Sequence, residues 1–331
     1  MQSKVLLFYE TDNATDGVIN IGCKNVLNKA LGDVQYFDLK KSMVSIDFFD
    51  LSEDDCLPNE KFDYIVIPGT PWLWHKNTFS KKWGNLERVL HTHPEARKVF
   101  LGIGSCYTIG FDPDLLYEQK AVGRFQTVFK DTLVIVRDKL ARHVLESYNI
   151  KSHLLMCPSY LCYSGGNYYG IDLMSYVRSS SAVFIDPRTS ISKVGWDDEK
   201  FEKYMQIFQY FIHEYSQPCI YIAPNSTKQY ETDSKLLRKF GLDFTVLNTY
   251  KDTLLMALTS SCVLSGRVHC AVPAATLGVP TGIIPIDSRA RTLTDFDVCE
   301  VNSPDDFDNI KGINMNHEEL MSQYVSLIRC M

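Results

Sequence analysis

The stretch CVLSGRVHCAVPAATLGVPTGIIPIDSRAR, residues 262–291, predicts the fold of the chain. A short apolar run breaks at Ser265 and Gly266, a small-residue segment ends at Gly278, and a second apolar run follows. This order indicates a strand, a loop, a helix, a tight turn and a strand. Arg267 and His269 then stand at the carboxyl end of the first strand, where open α/β sheets bind their ligands. A helix N-terminus at that place favours an anion.

Short apolar runs recur along the whole chain and alternate with segments of helical spacing. We predict buried strands at 4–9, 34–39, 64–67, 98–103, 133–136, 182–185, 218–223, 244–247, 262–264 and 281–286. We predict helices at 23–31, 83–90, 139–148, 197–215, 233–240, 250–259, 271–277 and 317–328. Such alternation is typical of a parallel, doubly wound sheet. The fold class is therefore α/β.

The pattern restarts after a glycine-rich stretch, residues 162–172, which is the best candidate for a linker. We therefore predict two Rossmann-like domains that face each other across a cleft. The first covers residues 1–165 and the second covers 175–312. Residues 313–331 form a final helix that packs back across the linker.

Composition and charge exclude several classes of protein. A net charge of −6 gives no electrostatic reason to expect a nucleic-acid partner, and it leaves a local basic cleft open. The N-terminus turns polar after Tyr9, too soon for a signal peptide, and no apolar run reaches the roughly 18–20 residues of a membrane span. The ten cysteines form no CxxC pair, so a zinc site is unsupported. We expect a cytoplasmic protein with no metal and no nucleic-acid partner.

Two cations at strand ends have both a functional and a structural interpretation. Arg137 either points into a cleft or pairs with Asp138 or Glu146. His269 lies two residues after Arg267, and alternate positions in an extended segment point to the same side. Both side chains would then face one ligand, whereas the alternative is a buried core histidine.

Several motifs, taken in order, resemble the polysaccharide pyruvyl transferase family. The family's Ser-x-Arg-hydrophobic-His pattern reads here as residues 265–269, followed by Gly-Val-Pro at 278–280 and by Asp287 with Arg289. Val136-Arg137-Asp138 and Gly102-Ile103-Gly104 match two further motifs. The Asn-x-Gly-Asp motif reads Asn20-Ile21-Gly22-Cys23, with cysteine in the acidic place, and Pro68-Gly69 stands where the family has a glycine pair.

This resemblance implies a GT-B-like fold and the transfer of pyruvate from phosphoenolpyruvate to a sugar as a ketal. Phosphoenolpyruvate is then a co-substrate and the saccharide is the acceptor, with no other cofactor and at most a peripheral contact with a membrane. Arginine suits the phosphate and the carboxylate because it forms bidentate hydrogen bonds.

The implied site has three groups of residues. Arg137, Arg267, Arg289, Ser265 and Gly266 bind phosphoenolpyruvate. His269 is the general acid or a donor to the leaving phosphate, and Asp16 activates the acceptor hydroxyl. The cleft loops contribute Asn20, Gly22, Gly69, Gly104, Ser105 and Asn225.

Two other functions fit the same sequence. A GT-B glycosyltransferase would use Arg267 and His269 to hold the diphosphate of a nucleotide sugar, because fold does not settle function. A non-catalytic relative would bind a saccharide without needing either residue.

Overall fold

The chain folds into two parallel β-sheets that are both flanked by helices. The computed structural model describes residues 2–9, 15–40, 60–74, 86–87, 89–107, 119–164, 182–185, 198–215, 218–224 and 227–331. Every strand pairing between these residues is parallel. Connections between parallel strands must cross over a face of the sheet, which explains the helices between them.

Within the described residues, the first sheet has seven strands. They are β1 (Ser3–Tyr9), β2 (Val34–Lys40), β3 (Tyr64–Pro68), β4 (Pro71–Trp74), β5 (Arg97–Cys106), β6 (Thr132–Val136) and β7 (His153–Leu154). Their order is β2-β1-β3-β5-β6-β7, with β4 paired to β5. Helices with stated bounds in this half are α1 (Asp16–Leu31), α2 (Gln119–Phe129) and α3 (Lys139–Glu146), followed by a 3₁₀ turn at Pro158–Leu161. Residues 86–87 and 89–92 are helical as well. Strand β2 lies on one side of β1 and β3 on the other, so the switch point of this sheet lies between β1 and β3.

The second sheet has six strands in the part of the chain that the structure describes. They are β8 (Ala182–Ile185), β9 (Cys219–Ile222), β10 (Thr245–Val246), β11 (Cys262–Ser265), β12 (Thr281–Ile283) and β13 (Cys299–Glu300), in the order β10-β9-β8-β11-β12-β13. Its helices are α4 (Asp198–Glu214), α5 (Thr227–Lys239), α6 (Tyr250–Thr259), α7 (Val268–Thr276) and α8 (Arg291–Thr294), with 3₁₀ turns at Ser288–Ala290 and Pro304–Asn309. This is the strand order of a Rossmann fold, and its switch point lies between β8 and β11.

Helices cover both faces of the first sheet, as the continuous apolar strands predict. In β1, Leu6 and Phe8 pack into one buried cluster while Val5 and Leu7 pack into another. All four side chains are fully buried. Successive strand residues point to opposite faces, so a strand that is apolar throughout must be covered on both sides.

The last helix, α9 (His317–Arg329), returns to the first sheet and packs on α1. The Tyr324 hydroxyl donates to the Met156 carbonyl at 2.5 Å, and Arg329 Nε donates to the Ala30 carbonyl at 2.9 Å. The predicted domain boundaries at 165, 175 and 312 stay a prediction, and residues 165–181 lie outside the described residues. None of the described helices is both long and apolar enough to cross a membrane.

Several predicted boundaries are wrong, and packing explains them. Helix α1 begins at Asp16 and not at residue 23, and α5 begins at Thr227 and not at 233. Strand β5 continues to Cys106, so Gly104 lies inside a strand and not in a loop after it. Strand β4 and helix α2 were not predicted at all. The first turns of α1 contain two glycines and no regular apolar stripe, so their helical state depends on tertiary contacts that periodicity does not report.

Candidate functional site

Strand β11 ends in a tight turn that places Arg267 at the start of α7. The Ser265 hydroxyl accepts from the Arg267 amide at 2.8 Å and donates to the Arg267 carbonyl at 3.0 Å. Arg267 is the N-cap residue of α7, and the amides of Cys270 and Ala271 donate to its carbonyl. The N-terminus of α7 therefore lies at the switch point of the second sheet, where its amides favour an anion.

His269 lies in the first turn of α7 and not in an extended segment, so the argument from alternate positions is wrong. The helix starts at Val268, three residues earlier than predicted, although Pro273 interrupts its hydrogen bonds. Arg267 and His269 are nevertheless both buried, with 5% and 8% of their surface exposed. His269 joins the site through a contact with Arg137 of the first sheet.

Arg137, at the carboxyl end of β6, reaches His269 across the boundary between the two sheets. The side chain is fully buried. Its Nη1 lies 3.0 Å from His269 Nε2 and also donates to the Gly69 carbonyl at the end of β3. Its Nε and Nη2 have no hydrogen-bond partner within the described part of the chain. Gly104 permits this position, because a side chain there would overlap Arg137 Nε.

The contact with Arg137 fixes the protonation of His269 in this arrangement. A guanidinium group has only donors, so His269 Nε2 must accept. The imidazole is therefore neutral, with its proton on Nδ1.

Asp138 does not form the ion pair with Arg137 that the sequence left open. Its carboxylate caps α3 by accepting from the Ala141 amide at 2.7 Å, and it accepts from the amide and the hydroxyl of Ser105, each at 2.9 Å. Burial raises the pKa of Asp138, although these hydrogen bonds and Arg137 oppose the shift. Glu146 is occupied as well, because it pairs with Arg142 at 2.6 Å.

Ser105 joins the two halves of the molecule. Its hydroxyl lies 2.9 Å from the Ser288 hydroxyl, which accepts from the Tyr107 amide at 2.8 Å. The Ser288 amide donates to the Tyr107 carbonyl at 3.0 Å. Ser105 therefore acts here as a contact between domains.

Arg289 binds Asp287, which lies two residues before it. The Asp287 carboxylate accepts from the Arg289 amide at 3.0 Å, from Nε at 2.7 Å and from Nη2. Burial alone would lower the pKa of Arg289, but the charge of Asp287, with a smaller contribution from Asp16, raises it. Asp16 is the first residue of α1, so this interaction indicates that the start of α1 lies near Arg289.

Comparison with known proteins identifies the family. The model of the polysaccharide pyruvyl transferase family matches residues 16–288, which include Arg137 and His269. The chain belongs to the polysaccharide pyruvyl transferase family. No curated protein matches the chain in sequence.

Solved structures show that this member of the pyruvyl transferase family has the GT-B fold. The UDP-GlcNAc 2-epimerase from Neisseria meningitidis bound to UDP-GlcNAc is 9% identical with a TM-score of 0.55, covering 99% of this chain and 100% of that one. The Methanocaldococcus jannaschii UDP-GlcNAc 2-epimerase in complex with UDP-GlcNAc and UDP is 11% identical with a TM-score of 0.53, covering 100% of both chains. The S. aureus MnaA–UDP co-structure is 12% identical with a TM-score of 0.52, covering 98% of this chain and 91% of that one.

The N-terminal motif of this pyruvyl transferase relative packs against the 3₁₀ turn at Pro158–Leu161. A side chain at Gly22 would overlap the Pro158 carbonyl oxygen. Asn20 is buried, and Cys23, in the family's acidic place, is fully buried. Burial raises the pKa of Cys23, so this thiol stays neutral and does not replace a carboxylate. The last predicted loop residue, Asn225, lies outside the described residues.

Sequence reasoning missed one residue of the cluster. Cys157 Sγ lies 3.9 Å from both Arg137 Nη1 and His269 Nε2. Cys157 follows the short strand β7, just as Arg137 follows β6, but the two-residue strand β7 was not predicted, so no local signal marked this cysteine. No group of three or more His, Cys, Asp or Glu side chains that could hold a metal ion occurs in the described ranges.

Proposed function

We propose that the protein transfers the pyruvyl group of phosphoenolpyruvate to two hydroxyls of a sugar in a polysaccharide or its precursor, forming a ketal. The observation that carries this proposal is the fully buried Arg137 guanidinium, whose Nε and Nη2 have no hydrogen-bond partner among the described side chains and backbone. A cation that is kept out of water favours an anion strongly, because the interaction is weakly screened. Phosphoenolpyruvate supplies both a phosphate and a carboxylate.

Arg137 and Arg267 are the proposed ligands of these two groups, with the N-terminus of α7 and the Ser265–Gly266 turn beside them. Both arginines are at least nine-tenths buried and come from different sheets, so one anion would bridge the domains. Arg289 is a weaker candidate, because Asp287 already occupies its Nε and Nη2.

His269 is the proposed general acid. Without a ligand, its Nε2 accepts from Arg137. When an anion binds at Nε and Nη2, Arg137 turns its Nη1 from the imidazole toward the anion, and Nε2 then carries the proton that is delivered to C3 of phosphoenolpyruvate. C2 becomes oxocarbenium-like and is attacked by a sugar hydroxyl. A second hydroxyl then attacks C2. The bond between C2 and the bridging phosphate oxygen breaks, and inorganic phosphate leaves with the proton of the second hydroxyl.

Asp16 is the proposed base that accepts the proton of the first hydroxyl. It lies seven residues before Cys23 on α1, which is two helical turns, so both positions share one side of the helix. Because the Cys23 thiol is neutral and buried, a carboxylate at the more accessible end of α1 is the better base. This scheme requires no metal and no cofactor besides phosphoenolpyruvate.

A nucleotide-sugar reaction is the second candidate. The observation in its favour is that the three similar structures named above contain UDP or UDP-GlcNAc according to their descriptions. In that case Arg137, Arg267 and the α7 N-terminus would hold a diphosphate. A saccharide-binding protein without catalysis is the third, and it would need neither Arg267 nor His269.

Thermal unfolding with added ligands distinguishes these functions. We expect phosphoenolpyruvate at 100 times its dissociation constant to stabilise the protein by about 2.7 kcal/mol. Inorganic phosphate should protect less, and UDP-GlcNAc should not protect. Protection by UDP-GlcNAc without protection by phosphoenolpyruvate would contradict the proposal. Release of phosphate from phosphoenolpyruvate with a panel of saccharides then tests turnover.

A further inference from the structure

Cys157 lies at the centre of the Arg137–His269 cluster, and the proposed reaction does not use it. The thiol is fully buried, like the Arg137 guanidinium. Its sulfur lies within hydrogen-bonding distance, 3.9 Å, of both Arg137 Nη1 and His269 Nε2. The same guanidinium has its Nε and Nη2 without a partner in the described ranges. A thiol with a base on one side and an unsatisfied cation on the other is placed for nucleophilic chemistry on an anion.

Two other buried thiols provide a contrast, Cys23 in the same apolar cluster as Cys157 and Cys162 in the neighbouring one. Cys23 and Cys162 are also fully buried. Burial raises the pKa of each, and neither has a hydrogen bond to an imidazole or a guanidinium among the contacts described. Cys330 lies at the opposite extreme, because it is exposed at the end of the chain. These cysteines serve as internal references for accessibility.

We propose that Cys157 is a nucleophilic thiol of the anion site and is covalently modified by small electrophiles that carry a carboxylate, such as haloacids. This inference rests on the proposed function in one respect only, namely that phosphoenolpyruvate should compete with the reagent. The reagent must enter by the route that an anionic substrate takes to Arg137.

The modification step with a haloacetate is balanced as follows. The carboxylate binds the Arg137 guanidinium at Nε and Nη2, and Nη1 turns from His269 Nε2 toward the anion. The Cys157 thiol proton moves to His269 Nε2, and the sulfur attacks the carbon that bears the halogen. A carbon–sulfur bond forms, the carbon–halogen bond breaks, and the halide leaves with the electron pair of that bond. No oxidant or reductant is involved.

The test compares iodoacetate, which is an anion, with iodoacetamide, which is neutral and of nearly the same size. The native full-length protein is treated with each reagent, quenched and mapped by peptide mass spectrometry. The labelling rate at Cys157 is divided by the rate at Cys330 in the same sample. We expect this ratio to be at least about tenfold higher with iodoacetate, which corresponds to 1.4 kcal/mol of preference for the anion.

Cys162 controls for opening of the fold. It is fully buried five residues along the chain, in the neighbouring cluster with Tyr163 and Leu254. Equal labelling of Cys162 and Cys157 would therefore mean that the reagent enters by unfolding, which overturns the proposal. A ratio to Cys330 that is the same for both reagents would also overturn it. The His269→Gln variant, after its melting temperature has been compared with that of the wild type, should lower the Cys157 rate with both reagents by at least about tenfold.

Ligand protection separates this inference from the proposed function. If both hold, phosphoenolpyruvate and, more weakly, inorganic phosphate slow the labelling of Cys157 but not that of Cys330. If phosphate protects Cys157 and phosphoenolpyruvate does not, the thiol assignment stands and the donor assignment is wrong. If iodoacetate shows no preference for Cys157 while phosphoenolpyruvate still stabilises the protein, the donor assignment stands and the thiol assignment is wrong.

Discussion

Two arginines at the boundary between the sheets occupy opposite electrostatic environments. Arg137 is fully buried and contacts two neutral acceptors, the Gly69 carbonyl and His269 Nε2. Arg289 keeps 26% of its side chain exposed and forms an ion pair with Asp287, whose side chain is 2% exposed. The more deeply buried cation is therefore the one without a carboxylate partner among the described residues.

This difference indicates which arginine is organised for a ligand. A guanidinium cannot lose its proton in a protein, so burying it without a counter-ion costs free energy of folding. Such a cost is typical of functional sites, where stability is given up for binding. Arg289 is the opposite case. It neutralises the buried carboxylate of Asp287, which also caps the 3₁₀ turn that contains Arg289.

The largest expected effect comes from replacing Arg137. Arg137→Met keeps a long unbranched side chain but removes the charge. We expect affinity for phosphoenolpyruvate to fall by about 100–1000-fold, since hydrogen bonds to charged groups contribute about 1.5–3 kcal/mol each. The free energy of unfolding should stay unchanged or rise by up to about 2 kcal/mol, because relief of the buried charge offsets the two lost hydrogen bonds. Binding calorimetry and urea denaturation measure the two quantities.

Arg142→Met is the matched control for this variant. Arg142 lies on α3 with 47% of its side chain exposed and forms an i,i+4 pair with Glu146. Its replacement should change stability by no more than about 0.5 kcal/mol and leave phosphoenolpyruvate binding intact. A loss of more than about 2 kcal/mol in Arg137→Met would show that Arg137 is structural, in which case the contrast with Arg289 fails.

A smaller effect, of a different kind, is expected at Arg289. Arg289→Met leaves the Asp287 carboxylate buried without its cation, so we expect a loss of about 2 kcal/mol in the free energy of unfolding, discounted for the partial exposure of the arginine. The double variant with Asp287→Asn removes the buried charge and keeps an acceptor for the turn. It should recover at least half of that loss. No recovery would mean that the ion pair is not what stabilises this turn.

The sequence predicted the second sheet well because its elements are locally encoded. Strand β11, the Ser265–Gly266 break and the turn after α7 each follow from a short pattern of apolar, small and glycine residues. The position of Arg267 at the carboxyl end of β11 follows directly from that pattern, whereas α7 begins three residues earlier than the pattern predicted. The GT-B fold and the family, both expected from these motifs, are confirmed.

The centre of the site could not be derived in this way, because it depends on long-range contacts. Arg137 meets a carbonyl 68 residues away and a histidine 132 residues away in the chain. No local pattern reports such distances, so the choice between an ion pair and a cleft-facing cation stayed open. Cys157 was missed for the same reason. The roles of these residues in binding and catalysis remain predictions.

The smallest expected effect concerns His93, a buried side chain that, unlike arginine, can lose its proton. His93 is 5% exposed and packs edge-on against Phe62 with ring centroids 5.0 Å apart. Burial lowers the pKa of His93, opposed by the charge of Glu95. Unlike Arg137, this residue can avoid a buried charge by becoming neutral.

Stability should therefore fall as the pH drops below about 6.5, the unperturbed pKa of histidine, because the unfolded state then binds a proton that the folded state does not. His153 and His317 shift in the same direction, so His93→Leu should remove only part of this dependence. His91→Leu is the control, since His91 is exposed and two residues away. Urea denaturation at pH 7 and pH 5 provides the measurement. If His93→Leu and His91→Leu lose the same stability between these pH values, His93 takes up its proton in the folded state, and burial at this site does not force the side chain to be neutral.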